Sequence, residues 1–487
     1  MCGITGAYSV DGRNVIPLIS TAAQMLQNRG GLHPQGVGIS NGTLPIEKSL
    51  DPPYEFFPNI SGRLSGHMGV AGLRYGTEGG RSGMVNAPPI VVGYKGMSLH
   101  IVHNGNVPYA DVLRQYMERD GYHHTTTTDT ESLGALWLRE ISQHGIENGT
   151  KKLMKELEDS AYAVVALLPE QNTLLAIQDP KNYRPLFFGQ SGATYVFASE
   201  EPAIHNGLCP DFPIQKIEEI GPTQLIVVNK GGIRTHTIES HPNRSLCHFE
   251  FIYFARPDSS FTTTNGNLRV AVARYRLGEK LHEICPADVD VIVPDSESGD
   301  YVAMGFAAQA GTLYIKAMPK ERFPVKLADR GVSLSQRGFM TDNLQKRQFI
   351  AGNRLLLEEF VSGKRVGYLT DSVVRGTTIG RNIELLKKMN AKEVHIRVSD
   401  PPIKYACHWG IDFRGAEELI ASQIASDDIK VANEYMRQLT GADSWGYMTI
   451  EGLQEVLGEE ICMKCLGIGF DGKIEAPNFL KEFQGVK

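Results

Sequence analysis

The sequence predicts two domains of different texture: a β-rich α+β domain over residues 2–240, then an α/β domain with a parallel sheet over residues 246–487. Three observations carry this. At 487 residues the chain exceeds one ordinary hydrophobic core, so more than one domain is expected. Residues 1 to about 240 hold short alternating or apolar runs broken by Gly and Asn, whereas from about 265 onward strand-like runs alternate with helix-like ones. Between them IESHPNRS, about 239 to 245, is polar, carries Pro, and reads as a linker.

Composition narrows the function classes. Hydrophobic content of 41% with 21% charge fits a soluble globular protein. A formal net charge of −6 offers no basic field for nucleic acid or anionic lipid. The N-terminus lacks a cationic region followed by an apolar core, and no run reaches the ~18 apolar residues of a membrane span. A cytoplasmic location with no membrane or nucleic-acid partner is expected. Seven cysteines, at 2, 209, 247, 285, 407, 462 and 465, are too few and too scattered for a disulfide scaffold, so catalysis or metal ligation is the better default.

In chain order, MCGITGAYSV comes first. Removal of the initiator Met would leave Cys2 with a thiol and a free α-amine on one residue. Such an amine titrates near pH ~8 and a thiol near ~8.5, so the amine can take the thiol proton without a distant histidine. The competing reading is a small buried residue at the start of a strand. VIPLISTAAQMLQNRGG has the apolar spacing of a helix ending at a Gly pair, and VGYKGMSLHIVHNG, AYAVVALLPE, LLAIQD, TYVFAS and TQLIVV read as strands. In the second domain DVDVIVP, KRVGYLTD and KEVHIRVSDPP read as strands, with AMGFAAQAG and TTIGRNIELLKKMNA as crossover helices. Within GKRVGYLTDSVVRGTTIG, Thr370 and Asp371 end a buried strand, where open α/β sheets bind ligands. Ser372, Gly376, Thr377 and Thr378 then form a small, hydroxyl-rich turn opening into a helix, whose backbone N–H groups can surround a phosphate, with Arg375 adding a cation. No Walker lysine is present; an acid followed by such a loop suits a ribose 5-phosphate. An ordinary strand-to-helix turn with a Thr cap is the alternative. Cys462 and Cys465 form a C-x-x-C, open to zinc or redox readings, and with Cys247 and Cys407 equally to a 4Fe-4S cluster.

CHFEFIYFARPDS (247–259), TDSVVRGTT and the N-terminal MCGI together closely resemble the glutamine phosphoribosylpyrophosphate amidotransferases, or amidophosphoribosyltransferases, and the likeness runs nearly end to end. That family joins an α+β N-terminal-nucleophile hydrolase domain, an αββα sandwich, to an α/β type I phosphoribosyltransferase domain with a parallel sheet. The resemblance implies that Cys2 attacks the glutamine amide, that the Asn104 side chain and Gly105 N–H of HNGNV stabilise the oxyanion, and that Arg74 and Asp129 hold the α-carboxylate and α-ammonium of glutamine. HNGNV by itself signals a hairpin turn. Arg29 would lie beside the nucleophile. DPKNYRPL and FASEEP match structural family segments, with Asp179 and Arg184 able to pair.

For the second domain the resemblance implies pyrophosphate contacts from Glu297 and Ser298 of VPDSESG, ribose and magnesium contacts from Asp371, and 5-phosphate contacts from Ser372 through Arg375, Gly376, Thr377 and Thr378. Magnesium would be held around Ser298, Thr370 and Asp371. RGFMTDNLQKR (337–347) resembles the loop that closes over the donor. The Bacillus-like, cluster-containing branch has cysteines in the motif positions of Cys247, Cys407, Cys462 and Cys465, implying a structural 4Fe-4S cluster. Purine nucleotides as inhibitors and a homo-oligomer, dimer or tetramer, are implied as well. The sequence also departs from the family. Thr370 replaces the first of two adjacent acids, Gly76 a hydroxyl residue after Arg74-Tyr75, and Gly338 a threonine of the closing loop, while GLHPQGVGI differs from the usual stretch after Arg-Gly. Two readings stay open: an enzyme making phosphoribosylamine, glutamate and pyrophosphate, or a divergent paralogue sensing a nucleotide or phosphoribosyl ligand, with or without glutaminase activity.

Overall fold

The computed structural model describes the chain except for residues 31–35, 61, 76–82, 206–208, 239–243, 320–325, 328–331, 334–354, 413–414, 425 and 486–487. It divides into two compact units. The first comprises Met1–Cys247, Cys407–Asp412 and Lys473–Lys487; the second comprises His248–Ala406 and Phe413–Gly472.

In the first unit two antiparallel sheets face each other. One has seven strands, with Gly3–Ser9 in the middle between Thr194–Ala198 and Met68–Leu73. The other has six, with Ala161–Leu168 between Met97–Asn106 and Thr173–Gln178. AYAVVALL explains the layering. Side chains alternate across a strand. Ala163, Val165 and Leu167 accordingly enter the core between the sheets with Ile4, Tyr8 and Val70. Val164, Ala166 and Leu168 enter a second core with Leu133, Leu136 and Trp137 of the helix Asp129–Glu156. On the outer side of the seven-stranded sheet lies the helix Ile16–Met25, so the layers run helix, sheet, sheet, helix, as expected of an αββα sandwich. The helix Asp129–Glu156 starts where Thr128 accepts a hydrogen bond from the Glu131 N–H, and Gly145 (φ 77°) interrupts it.

The second unit is built on a parallel sheet ordered Leu313–Tyr314, Val291–Pro294, Arg365–Thr370, Glu393–Val398, Ser444–Tyr447. Helices Asp300–Ala310 and Thr377–Lys388 follow the second and third of these strands. Parallel strands need such crossovers, and burial on both faces explains runs such as VIVP and RVGYLT. HNGNV is not a hairpin turn: it continues the strand Met97–Asn106, paired to Ala161–Leu168 through Asn106. Most of the linker (239–243), Gly76 and the closing loop 337–347 with Gly338 lie outside the described residues. Among the described residues no helix is long and apolar enough to cross a membrane.

Candidate functional site

Cys2 precedes the central strand Gly3–Ser9 and is half-buried in a cavity that Arg74, Tyr75, His103, Gly105 and Asp129 also line. The Tyr75 N–H points at its sulfur, N to Sγ 3.4 Å. The Cys2 backbone N donates to Asn104 Oδ1 at 3.1 Å. Asn104 is fully buried, and among the described residues its Nδ2 has no hydrogen-bond partner. A buried donor left unpaired costs about 1–3 kcal/mol, and this one lies on the residue that accepts from Cys2. Gly105 follows on the same strand. A Cβ there would fall 1.9 Å from the Ala161 carbonyl oxygen, so only glycine fits this strand pairing. Met1 is buried, and burial pushes its amine down to about 5.

The charges sit around this centre. Asp129, at the first turn of its helix, accepts from Thr130 N at 2.9 Å and Val107 N at 3.1 Å. Arg74 is buried, and its Nη1 donates to the Asn86 carbonyl at 3.1 Å. These opposite charges line one cavity with the thiol, which matches an α-amino acid whose side-chain amide must reach Cys2. His103 lines the same cavity, its Nδ1 3.7 Å from Asp129 Oδ2. Arg29 stands differently. Fully buried, it is ion-paired to the equally buried Glu200, which also accepts from Asn28 Nδ2 at 2.6 Å. Asp179 spends its carboxylate on the backbone N–H groups of Lys181, Tyr183 and Tyr162, while Arg184 donates to the Trp409 carbonyl. Trp409 belongs to Cys407–Asp412, a strap laid along the Asn104–Asn106 strand. Asn106 Nδ2 donates to the His408 carbonyl at 3.0 Å, and Trp409 Nε1 to the Asp159 carbonyl at 2.7 Å. Sequence reasoning missed Tyr75 N–H, His103, Glu200 and this strap; only the position of Glu200 inside FASEEP hinted at its place.

In the second unit Asp371 lies at the carboxyl end of the strand Arg365–Thr370 and is buried. Its Oδ1 accepts from Ser372 N at 2.8 Å and faces Thr370 Oγ1 at 3.1 Å, whereas Oδ2 has no partner among the described residues. Burial, and then the charge of Asp295, push its carboxyl up to about 6. The loop then turns at Gly376 (φ 74°) into the helix Thr377–Lys388, whose first N–H groups have no acceptor within the helix. Ser372 and Thr378 are half-buried around this end, and Thr377 is exposed. Arg375 is ion-paired to Glu418 rather than turned solely to a ligand. Glu297 (φ 77°, exposed) and half-buried Ser298 sit in the neighbouring loop before the helix Asp300–Ala310. Magnesium takes one or two carboxylates and keeps waters and substrate phosphates. The unpartnered Asp371 oxygen fits that demand. Cys247 and Cys407 fall in the first unit, and Cys462 and Cys465 in the second. Among the described residues no three His, Cys, Asp or Glu side chains gather as a metal site, so the cluster rests on its sequence motif and enters no step below.

A cysteine at position 2 leading into the central strand of an αββα sandwich, in a cavity that also holds Arg74 and Asp129, is the arrangement of a glutamine amidotransferase of the N-terminal-nucleophile class. A family model described as "Glutamine amidotransferase domain" matches residues 85–206. The chain is 31% identical to the amidophosphoribosyltransferase of Methanocaldococcus jannaschii over 96% of both chains, and 33% identical to that of Pyrococcus horikoshii over 96% of this chain and 95% of the relative. A solved glutamine phosphoribosylpyrophosphate amidotransferase of Bacillus subtilis, complexed with ADP and GMP, superposes with a TM-score of 0.80 at 30% identity, covering 97% of this chain and 98% of that one. The chain belongs to the amidophosphoribosyltransferase family, glutamine-dependent pentosyltransferases.

Proposed function

We propose that this protein hydrolyses glutamine at Cys2 and passes the ammonia to phosphoribosyl pyrophosphate, giving phosphoribosylamine, glutamate and pyrophosphate, the reaction that opens purine synthesis. The observation that carries the first half is the pairing of Cys2 N with Asn104 Oδ1 while Asn104 Nδ2 stays unspent. With Met1 removed, the Cys2 α-amine takes the thiol proton, and Sγ attacks the amide carbon. The carbonyl oxygen becomes an oxyanion facing Asn104 Nδ2 and the Gly105 N–H. The protonated amine then delivers its proton to the departing ammonia. Water hydrolyses the thioester by the reverse use of the same groups. Asp129 and Arg74 orient glutamine through its α-ammonium and α-carboxylate, so the amide arrives at Sγ in reacting geometry.

In the second unit the Ser372–Thr378 loop and helix start receive the 5-phosphate, and Asp371 the ribose hydroxyls and magnesium. A magnesium ion held there would offset the negative charge of pyrophosphate as leaving group, while ammonia attacks C1. Glu297 and Ser298 flank that leaving group. The cysteine motif supports a structural 4Fe-4S cluster, read out by iron and sulfide content. Purine nucleotides as inhibitors are supported by the ADP and GMP bound to the Bacillus subtilis relative.

The test is glutamate release from glutamine with and without phosphoribosyl pyrophosphate and magnesium, with Cys2→Ala as control. Release that depends on Cys2, rises with the donor and is matched by pyrophosphate is the expected result. Release indifferent to the donor would leave a free glutaminase and refute the transfer. The sensor reading then takes its place.

A further inference from the structure

The strand end at Thr370 and Asp371 carries a single acid, yet a second carboxylate reaches it from the adjacent strand. Val291–Pro294 pairs with Arg365–Thr370 in parallel register, Pro294 opposite Leu369, and the Asp295 N–H continues the ladder onto the Leu369 carbonyl at 2.6 Å. Asp295 is thereby fixed beside Thr370. The Thr370 hydroxyl lies 3.3 Å from Asp295 Oδ2 and 3.1 Å from Asp371 Oδ1. A hydroxyl has one proton, so it can donate to only one of these oxygens at a time; the other faces its lone pairs. The Thr370 hydroxyl thus lies between two acids, while Asp371 Oδ2, on a residue only 4% exposed, has no partner among the described residues. Arg274, the cation felt at Asp371, donates to the carbonyls of Phe251 and Ala255. Two carboxylates this close raise each other's cost, and a shared cation lowers it.

We propose that Asp295 supplies the second carboxylate of the magnesium and pyrophosphate site, in place of an acid at position 370, with the Thr370 hydroxyl holding the two carboxylates in position. The inference rests on the reading of the second unit given above and assigns within it a residue that the strand-end motif does not contain. Replacing an acid by threonine at position 370 then leaves the site with two acids, drawn from two strands rather than from one. Asp295 also opens the loop that bears Glu297 and Ser298, so metal and leaving-group contacts are set by one segment.

The test uses Mn2+ as the probe, bound to the full chain in the presence of inorganic pyrophosphate and followed by loss of the free-ion signal in electron paramagnetic resonance. Asp295→Asn should weaken Mn2+ binding tenfold or more with an unchanged melting profile, and adding Thr370→Asp to it should restore binding to within about threefold of the parent. Asp295→Ser serves as the second variant if Asp295→Asn does not fold. Binding within twofold of the parent in the Asp295 variants, with Asp371→Asn losing it, overturns this inference and leaves the phosphoribosyl reading standing. Loss in Asp295→Asn that Thr370→Asp does not repair shows a structural role and overturns it too. No Mn2+ binding by the parent removes both.

Discussion

Replacing Asn104 by Ala separates catalysis from stability, because its two side-chain atoms stand in opposite situations. Oδ1 accepts from the Cys2 backbone N at 3.1 Å, and losing such a bond costs about 1 kcal/mol of stability. Nδ2 is buried without a partner among the described residues, and removing that orphan returns about 1–3 kcal/mol. The two nearly offset, so the unfolding free energy from urea melts should move by no more than about 2 kcal/mol in either direction. Catalysis has no such offset. If Nδ2 receives the oxyanion, its loss removes about 2.7–4 kcal/mol of transition-state stabilisation, about 10²- to 10³-fold in kcat. The assay is initial-rate glutamate release at saturating glutamine, with denaturation run on the same preparation. Asn104→Asp keeps the acceptor for the Cys2 amine and lacks the donor, so it should lose at least as much. A kcat within about fivefold of the parent for Asn104→Ala, with stability unchanged, would refute the assignment of Nδ2 to the oxyanion.

Gly105→Ala places a methyl 1.9 Å from the Ala161 carbonyl oxygen, and overpacking of that kind costs about 1–3 kcal/mol or more; a lowered urea midpoint together with lost glutaminase activity is expected. Gly376→Ala puts a side chain at φ 74° and 2.4 Å from Ile420 Cδ1, at the start of the helix Thr377–Lys388 proposed to receive the 5-phosphate. It should raise KM for phosphoribosyl pyrophosphate about tenfold while leaving donor-independent glutamate release unchanged, as steady-state kinetics with each substrate varied will read. Burial holds the fully buried Asp179 up at about 7, above its unfolded value, so the folded state binds that proton more tightly. Its contribution is present below about pH 4 and is lost as pH rises through 7. Stability of the parent minus that of Asp179→Asn, measured by urea melts from pH 4 to 8, should therefore fall with rising pH.

Much of the fold was legible because its strands are strongly patterned. AYAVVALL, LLAIQ and TYVFA form strands, and the alternation of DVDVIVP, AMGFAAQAG and RVGYLT forms the parallel sheet with its crossover helices. Cys2, Asn104, Gly105 and Asp129 were legible through short motifs, and the structure gathers them about one cavity or its immediate wall. What escaped was long-range partnership. Nothing local in QNRGG says that Arg29 is neutralised by a glutamate 171 positions away. In VRGTT, likewise, nothing says that Arg375 meets Glu418. HNGNV misleads in isolation because Asn-Gly favours turns, whereas here the cross-strand ladder to Ala161–Leu168 overrides that local preference. Asp295 was hidden for the same reason. Its proximity to Thr370 arises from sheet register, across 75 positions of sequence.

The first unit is closed by segments that lie far along the chain from its sheets: Cys407–Asp412 and Lys473–Lys487. Leu480, fully buried, sits in the core with Leu113 and Met117, and Phe479 and Phe483 lie edge-on to Tyr116. The strap at Cys407–Asp412 holds the strand of Asn104 and Gly105. At about 5–20 residues per second, the roughly 230 residues from Cys247 to Leu480 take about ten to fifty seconds to synthesise. Over that interval the apolar surface meant for Leu480 stays uncovered, and for about the first 160 of those residues the strand of Asn104 and Gly105 also lacks the strap. A nascent chain, or one truncated after the first 247 residues, therefore carries the nucleophile without its finished surroundings.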